Sequence, residues 1–153
     1  MAEAATANKW LGTLNHVAIT VSNLDDALEF FEPWLDFLGF THHERGEHSG
    51  TRLSINLNPD TKTAFNIWEA KGELSRHPFE VYEPGLHHIA LNADSHQRVE
   101  QMAELVHELG GTILDGPGEF PFAVDGYYAV YFLGPDSLKF EFVHMPALAD
   151  YYG

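Results

Sequence analysis

The sequence contains no cysteine. That excludes a disulfide framework, a thiolate metal site and a cysteine nucleophile, and it fits a reducing compartment. Basic residues are scarce: Lys and Arg number 8 against 23 Asp and Glu, a formal net charge of −15. Such a surface repels phosphate backbones and anionic headgroups, which argues against nucleic acid and membrane as partners. No apolar run reaches the ~18 residues of a membrane span, and Met1–Trp10 lacks the basic start and apolar stretch of an export signal. A soluble, cytoplasmic protein is expected. At 153 residues with 44% hydrophobic content, the chain suits one domain with a packed core rather than a multidomain machine or a disordered tail.

Histidine, in contrast, is plentiful, with ten in the chain. Two of them sit in a duplicated pattern. Leu14–Val21, LNHVAITV, reads as a strand, and Ser22 stands three residues before Asp25 in a capping pattern ahead of a helix. Leu24, Ala27, Leu28, Phe31, Leu35 and Leu38 recur at helical spacing, Gly39 ends the run, and Pro33 inside it predicts a kink or a broken last half. Strands then fit Phe40–Glu47, Thr51–Leu57 and Lys62–Glu69. The pattern restarts at Leu86–Ala93, LHHIALNA, followed by a helix to Leu109 and a Gly110-Gly111 stop. Leu14, His16, Ala18, Glu32 and Gly39 correspond to Leu86, His88, Ala90, Glu104 and Gly111 at a constant spacing of 72 residues. The expected organisation is an extension at 1–13, a βαβββ module at 14–70, a connector at 71–85, a second module at 86–144 and a tail at 145–153. Helices cover one face of each sheet, so the other faces are expected to line a shared cavity. The fold class is α+β, two βαβββ modules forming a curved mixed sheet around that cavity.

Strand alternation assigns the faces. Val17, Ile19 and Val21 belong under the first helix, which turns His16 and Ala18 toward the cavity; the same parity turns His88 and Ala90 inward. In the last strand Phe140 and Phe142 take the helix side, leaving Lys139, Glu141 and Val143 inward. Two imidazoles and one carboxylate from separate strands make a three-ligand divalent-metal site with coordination positions open to substrate.

At these residues the sequence resembles the vicinal oxygen chelate superfamily, which groups glyoxalases, extradiol dioxygenases, fosfomycin-resistance enzymes and bleomycin-binding proteins. The carriers are LNHVAITVSNLDDALEFF, GLHHIAL and GYYAVYFLGPDSLKFEFV, and the likeness runs from Leu14 to His144. It implies that His16, His88 and Glu141 are metal ligands for one divalent ion (Fe, Mn, Zn or Ni), that the substrate is a small organic molecule with vicinal oxygens, and that the chain forms a homodimer. The activity implied is that of a metal-dependent dioxygenase or a lyase/isomerase. The alternative is a metal-independent, bleomycin-resistance-like protein that sequesters a cationic drug, which the net charge of −15 favours.

Glyoxalase-like relatives draw a further Glu or Gln ligand from the strand equivalent to Lys62–Glu69. Asn66 and Glu69 both compete for that place as fourth ligand or substrate contact, and parity favours Asn66, since Phe65 and Ile67 read as helix-facing. Extradiol dioxygenases carry a Tyr four residues before the turn Pro, a condition met by Tyr131 and Pro135. Their upstream acid–base His is replaced by Phe122, Ala123 or Val124. Tyr131 and Lys139 are the candidate catalytic groups, the first for an oxyanion and the second for a substrate anion; Trp68, Tyr127 and Phe122 are candidate cavity walls, with Phe120 beside them. His42, His43, Glu44 and His48 read as a solvated hairpin, and His87 as a residue of the opposite face.

Overall fold

The computed structural model describes residues 11–121 and 125–145. The first module consists of β1 (His16–Val21), α1 (Leu24–Phe37), β2 (His42–His48), β3 (Thr51–Asn58) and β4 (Thr63–Glu69). The second consists of β5 (Ile89–Asn92), α2 (His96–Glu108), β6 (Thr112–Glu119), β7 (Tyr128–Leu133) and β8 (Lys139–His144). Each module folds into a four-stranded mixed sheet, ordered β1-β4-β3-β2 and β5-β8-β7-β6, with the first and last strands parallel. The two βαβββ modules expected from the repeat are therefore present. Among the described residues no helix is long and apolar enough to cross a membrane.

Local sequence explains the helix ends. Asn23, not Ser22, caps α1, its side chain accepting from the Asp26 N–H at 3.0 Å. The Ser22 N–H instead donates to Asp136 Oδ2 at 2.8 Å, tying the start of the first helix to the β7–β8 turn. Pro33 does not break α1, which runs on to Phe37; Pro33 and Glu29, the residue whose carbonyl Pro33 cannot reach, are both exposed, where water can replace the lost bond. Gly39 follows the cap with φ +88, and a Cβ there would approach Asn58 Nδ2 to 3.1 Å, so both conformation and space call for glycine. Because α2 is one residue shorter, Gly110, φ +79, takes this conformation in the second module rather than Gly111.

The core fixes how the modules meet. Trp34 and Phe31, both fully buried on α1, contact Phe65 of the first sheet and Phe140 of the second, with Trp34 and Phe140 ring centroids 4.9 Å apart. Phe65 and Phe140 themselves lie 6.5 Å apart. Both helix-facing sides thus turn inward around α1, and alternation sends the opposite faces outward, away from each other. Among the described residues the uncovered faces do not converge on the shared cavity expected from the sequence: His16, Ala18 and Thr20 are exposed on one side, Ala90 and Asn92 on the other.

The polar residues of β2 and β3 serve this packing. Ser54 and Asn56 are fully buried on the helix side, where Asn56 donates to the Phe65 carbonyl at 2.8 Å and accepts from Ser54 at 2.9 Å. One acidic flank of α1 is matched residue by residue: Asp25 with Arg52, Glu32 with Arg45 and Asp36 with His43. His43 is accordingly no part of a solvated hairpin. Burial opposes its charged form, but hydrogen bonds to Asn56 and Asp36 and the Asp36 charge outweigh burial and raise its pKa above the ordinary value.

Candidate metal centre

The second sheet gathers the chemistry. Glu141, in the middle of β8 opposite Ala90 and Tyr131, is 3% exposed, yet points away from the helix side. Its Oε2 lies 3.1 Å from His88 Nε2, and its Oε1 accepts from the Tyr127 hydroxyl. Tyr127 and Tyr131 hydroxyls are 3.5 Å apart, and the rings of Phe120 and Tyr131 meet edge to face at 5.2 Å. Burial, then the hydrogen bonds to Glu141 and Tyr131, hold Tyr127 far above the usual phenol range; burial likewise raises Tyr131. Both phenols are therefore proton donors at neutral pH.

Lys139 projects on the same face as Glu141, its Nζ 5.5 Å from the centroid of the Tyr131 ring. His88 lies just before β5, so strand alternation does not separate it from His87. The two Nδ1 atoms stand 2.7 Å apart, and one of them must carry the proton. The reading of His87 as a residue of the opposite face is corrected accordingly. Burial and the neighbouring Lys139 and His88 lower its pKa. Tyr127 contributes more than a wall. Its spacing of four residues from Tyr131 was the available signal, since it puts both phenols on one side of an extended segment.

The first sheet carries the rest. His16 stands at the start of β1, exposed, with Nδ1 2.7 Å from Asn15 Oδ1. Asn66 pairs with Ala18 in the parallel ladder as Glu141 pairs with Ala90, so Asn66 occupies in the first module the place Glu141 holds in the second. Its Oδ1 is buried with no hydrogen-bond partner among the described residues. Glu69 faces the helix instead: its carboxylate accepts from the Leu24 N–H at 2.9 Å and from Arg52, contacts that lower its pKa, the Arg52 bond most. Trp68 lies on the His16 face, edge to face with His48 at 6.0 Å. It opens onto a cleft of about 530 Å3 shared with Thr20, Phe79, Asp136 and Leu138, beside the connector. Phe122 lies outside the described residues.

The structure thus brings His88, Glu141, Tyr127, Tyr131 and Lys139 together and leaves His16, Asn66 and Trp68 on a face directed elsewhere. Among the described residues of one chain no three His, Asp or Glu side chains cluster closely enough to hold a metal ion. The donor types fit such an ion: imidazole and carboxylate suit Mn, Fe, Zn and Ni, and the buried Glu141 has no Lys or Arg ion pair among the described residues.

Comparison with known proteins agrees with this architecture. The sequence model of the Glyoxalase/Bleomycin resistance protein/Dioxygenase superfamily matches residues 13–142, and the chain belongs to that superfamily, the vicinal oxygen chelate group. YqjT of Bacillus subtilis (strain 168), an uncharacterized protein, is 30% identical over 131 residues, covering 85% of this chain and 97% of YqjT. Among solved structures, a glyoxylase/bleomycin resistance protein/dioxygenase domain from Frankia sp. EAN1pec superposes with a TM-score of 0.68 at 19% identity, covering 86% of this chain and 96% of that domain. A mutant of the fosfomycin resistance protein FosX from Listeria monocytogenes, complexed with Mn(II) and 1S,2S-dihydroxypropylphosphonic acid, gives 0.60 at 16% identity over 94% and 99% of the two chains. At these identities the solved structures share the fold.

Proposed function

We propose that the chain is a divalent-metal-dependent enzyme of the glyoxalase/dioxygenase type, acting in the cytoplasm on a small substrate with vicinal oxygens. His88 and Glu141 of one copy and His16 of a second copy would hold the ion. The observation that carries this reading is Glu141: a carboxylate 3% exposed, with an imidazole on one oxygen and a phenol on the other. A positive partner stabilises a buried carboxylate, and a divalent cation beside His88 would supply one. The outward direction of both ligand-bearing faces supports assembly between copies, because a two-fold pairing lays the His16 face of one chain on the Glu141 face of the next. Mn(II) in the Listeria FosX complex shows that this fold accommodates such an ion.

A bound ion supplies Lewis acidity toward the vicinal oxygens of the substrate. The residues of the chain do the rest. Tyr127 fixes the Glu141 carboxylate, the Tyr131 hydroxyl is placed to donate to an oxyanion, and Phe120, with Trp68 from the second copy, would wall the substrate from water. Asn66, on the same face as His16, would come from the second copy too and offer an amide oxygen as a further contact.

Metal content by mass spectrometry on protein purified without chelators tests the reading. About one Mn, Fe, Ni or Zn per chain, lost in His88→Ala and Glu141→Ala, is expected from the one-site donor set. A protein that is metal-free and has no affinity for any of the four would overturn it.

A further inference from the structure

On the face of Glu141 lies a cation with no carboxylate at ion-pair distance among the described residues. Of the described basic residues, Arg45, Arg52 and Arg76 pair with carboxylates, and Lys62 and Lys71 donate to backbone carbonyls. Arg98 covers the Phe37 ring at 4.6 Å. Lys139 alone among them sits on the site face, with no carboxylate at ion-pair distance among the described residues and its Nζ over the Tyr131 ring at 5.5 Å. In a chain with 23 acidic and 8 basic residues, carboxylates to neutralise an ammonium are abundant everywhere. An ammonium two residues from Glu141 also repels any cation bound there, so it works against metal affinity. Unlike Lys62, Lys71 and Arg98, which also lack a carboxylate partner among the described residues, Lys139 holds its charge on the face that carries Glu141, where a ligand can meet it.

We infer that Lys139 recognises a second, anionic group on the substrate, a carboxylate or phosphonate remote from the chelating oxygens. The inference rests on the metal-site reading above and narrows its substrate class to small organic acids. Alternate residues of a strand lie about 6.6 Å apart on one face, so a molecule that chelates an ion at Glu141 through two vicinal oxygens would extend its remaining oxyanion along that face toward Lys139. Tyr131 lines the path between, since it pairs with Glu141 in the ladder while its ring lies under the ammonium. A point charge there selects for anions.

Malate and lactate test this, because they share the 2-hydroxy acid chelating pair and only malate has a distal carboxylate. Mn(II) affinity is measured first by calorimetry on wild type, Lys139→Met and Lys139→Arg. Each Mn(II)-loaded protein is then titrated with malate and with lactate. The wild type should bind malate about tenfold more tightly than lactate or better, Lys139→Arg should keep most of that preference, and Lys139→Met should lose it. Mn(II) affinity in Lys139→Met should stay equal or rise, opposite to its malate affinity, a pattern that general structural damage does not produce. If Lys139→Met fails to fold, Lys139→Gln is read in its place. A wild type that binds Mn(II) without preferring malate, or a preference that survives in Lys139→Met, overturns this inference alone. A wild type that binds no divalent ion removes the metal reading and this inference with it.

Discussion

The Tyr127 hydroxyl donates to Oε1 of Glu141 while His88 Nε2 lies 3.1 Å from Oε2. One carboxylate is thus held from both ends, its rotamer set by a phenol outside the proposed ligand set. Second-layer hydrogen bonds of this kind orient a ligand before the ion arrives. Tyr127→Phe should therefore weaken Mn(II) binding about 10- to 100-fold with little change in melting temperature. Calorimetry with a thermal melt checks both, and unchanged affinity would show that Glu141 is oriented without Tyr127.

Glu69 and Asn66 separate cleanly by experiment. Glu69 stabilises the start of α1 and pairs with Arg52, so Glu69→Gln should lower stability by about 1–2 kcal/mol and leave Mn(II) affinity unchanged. Asn66→Ala should do the reverse, weakening the metal complex more than the fold. Urea unfolding beside metal titration reads both, and loss of metal binding in Glu69→Gln would return Glu69 to the ligand set.

His43 gives the fold a pH dependence. Its folded pKa is raised, so the stabilisation from the Asp36 contact is fully present below its unfolded value near 6.5 and is lost as pH rises through the folded value. Asp36→Asn should thus cost more stability at pH 5.5 than at pH 8.5. Denaturant unfolding at the two pH values measures the difference; equal costs would mean that His43 stays neutral throughout.

Trp34 bridges both sheets, touching Phe65 of the first and Phe132 and Phe140 of the second. Trp34→Ala should cost about 3–5 kcal/mol and lower the melting of both modules together, seen as one shifted transition by calorimetry. Two separated transitions would mean that the modules fold independently.

How much of this was legible beforehand depends on the kind of information involved. Alternation in Val17, Ile19 and Val21, and again in Phe140 and Phe142, sets which residues lie under the helix and which lie opposite it, and so puts Glu69 on the helix side and His16 and Glu141 on the other; that this other side turns outward, and not toward a cavity within one chain, is the correction the structure makes. Period two is a local property, and a strand shows it residue by residue. The back-to-back meeting of the sheets was not visible in that way. It depends on Phe31 and Trp34 being large enough to serve two sheets at once, and an apolar helix stripe reads the same whether it packs on one sheet or between two. The contact of His87 with His88 also escaped, because both lie just before β5, where the backbone leaves the alternating pattern, and the hydrogen bond from Tyr127 to Glu141 escaped because alternation gives a side but not a partner on the neighbouring strand.

The central claim, that His16 of one copy completes the site of another, is tested most directly by mixing. His16→Ala and Glu141→Ala should each lose Mn(II) binding, and an equimolar mixture allowed to exchange subunits should recover about a quarter of the wild-type sites, since half the dimers are mixed and each of these holds one intact site. No recovery in mixtures shown by mass spectrometry to contain mixed dimers, or a His16→Ala protein that binds Mn(II) as the wild type does, would contradict it.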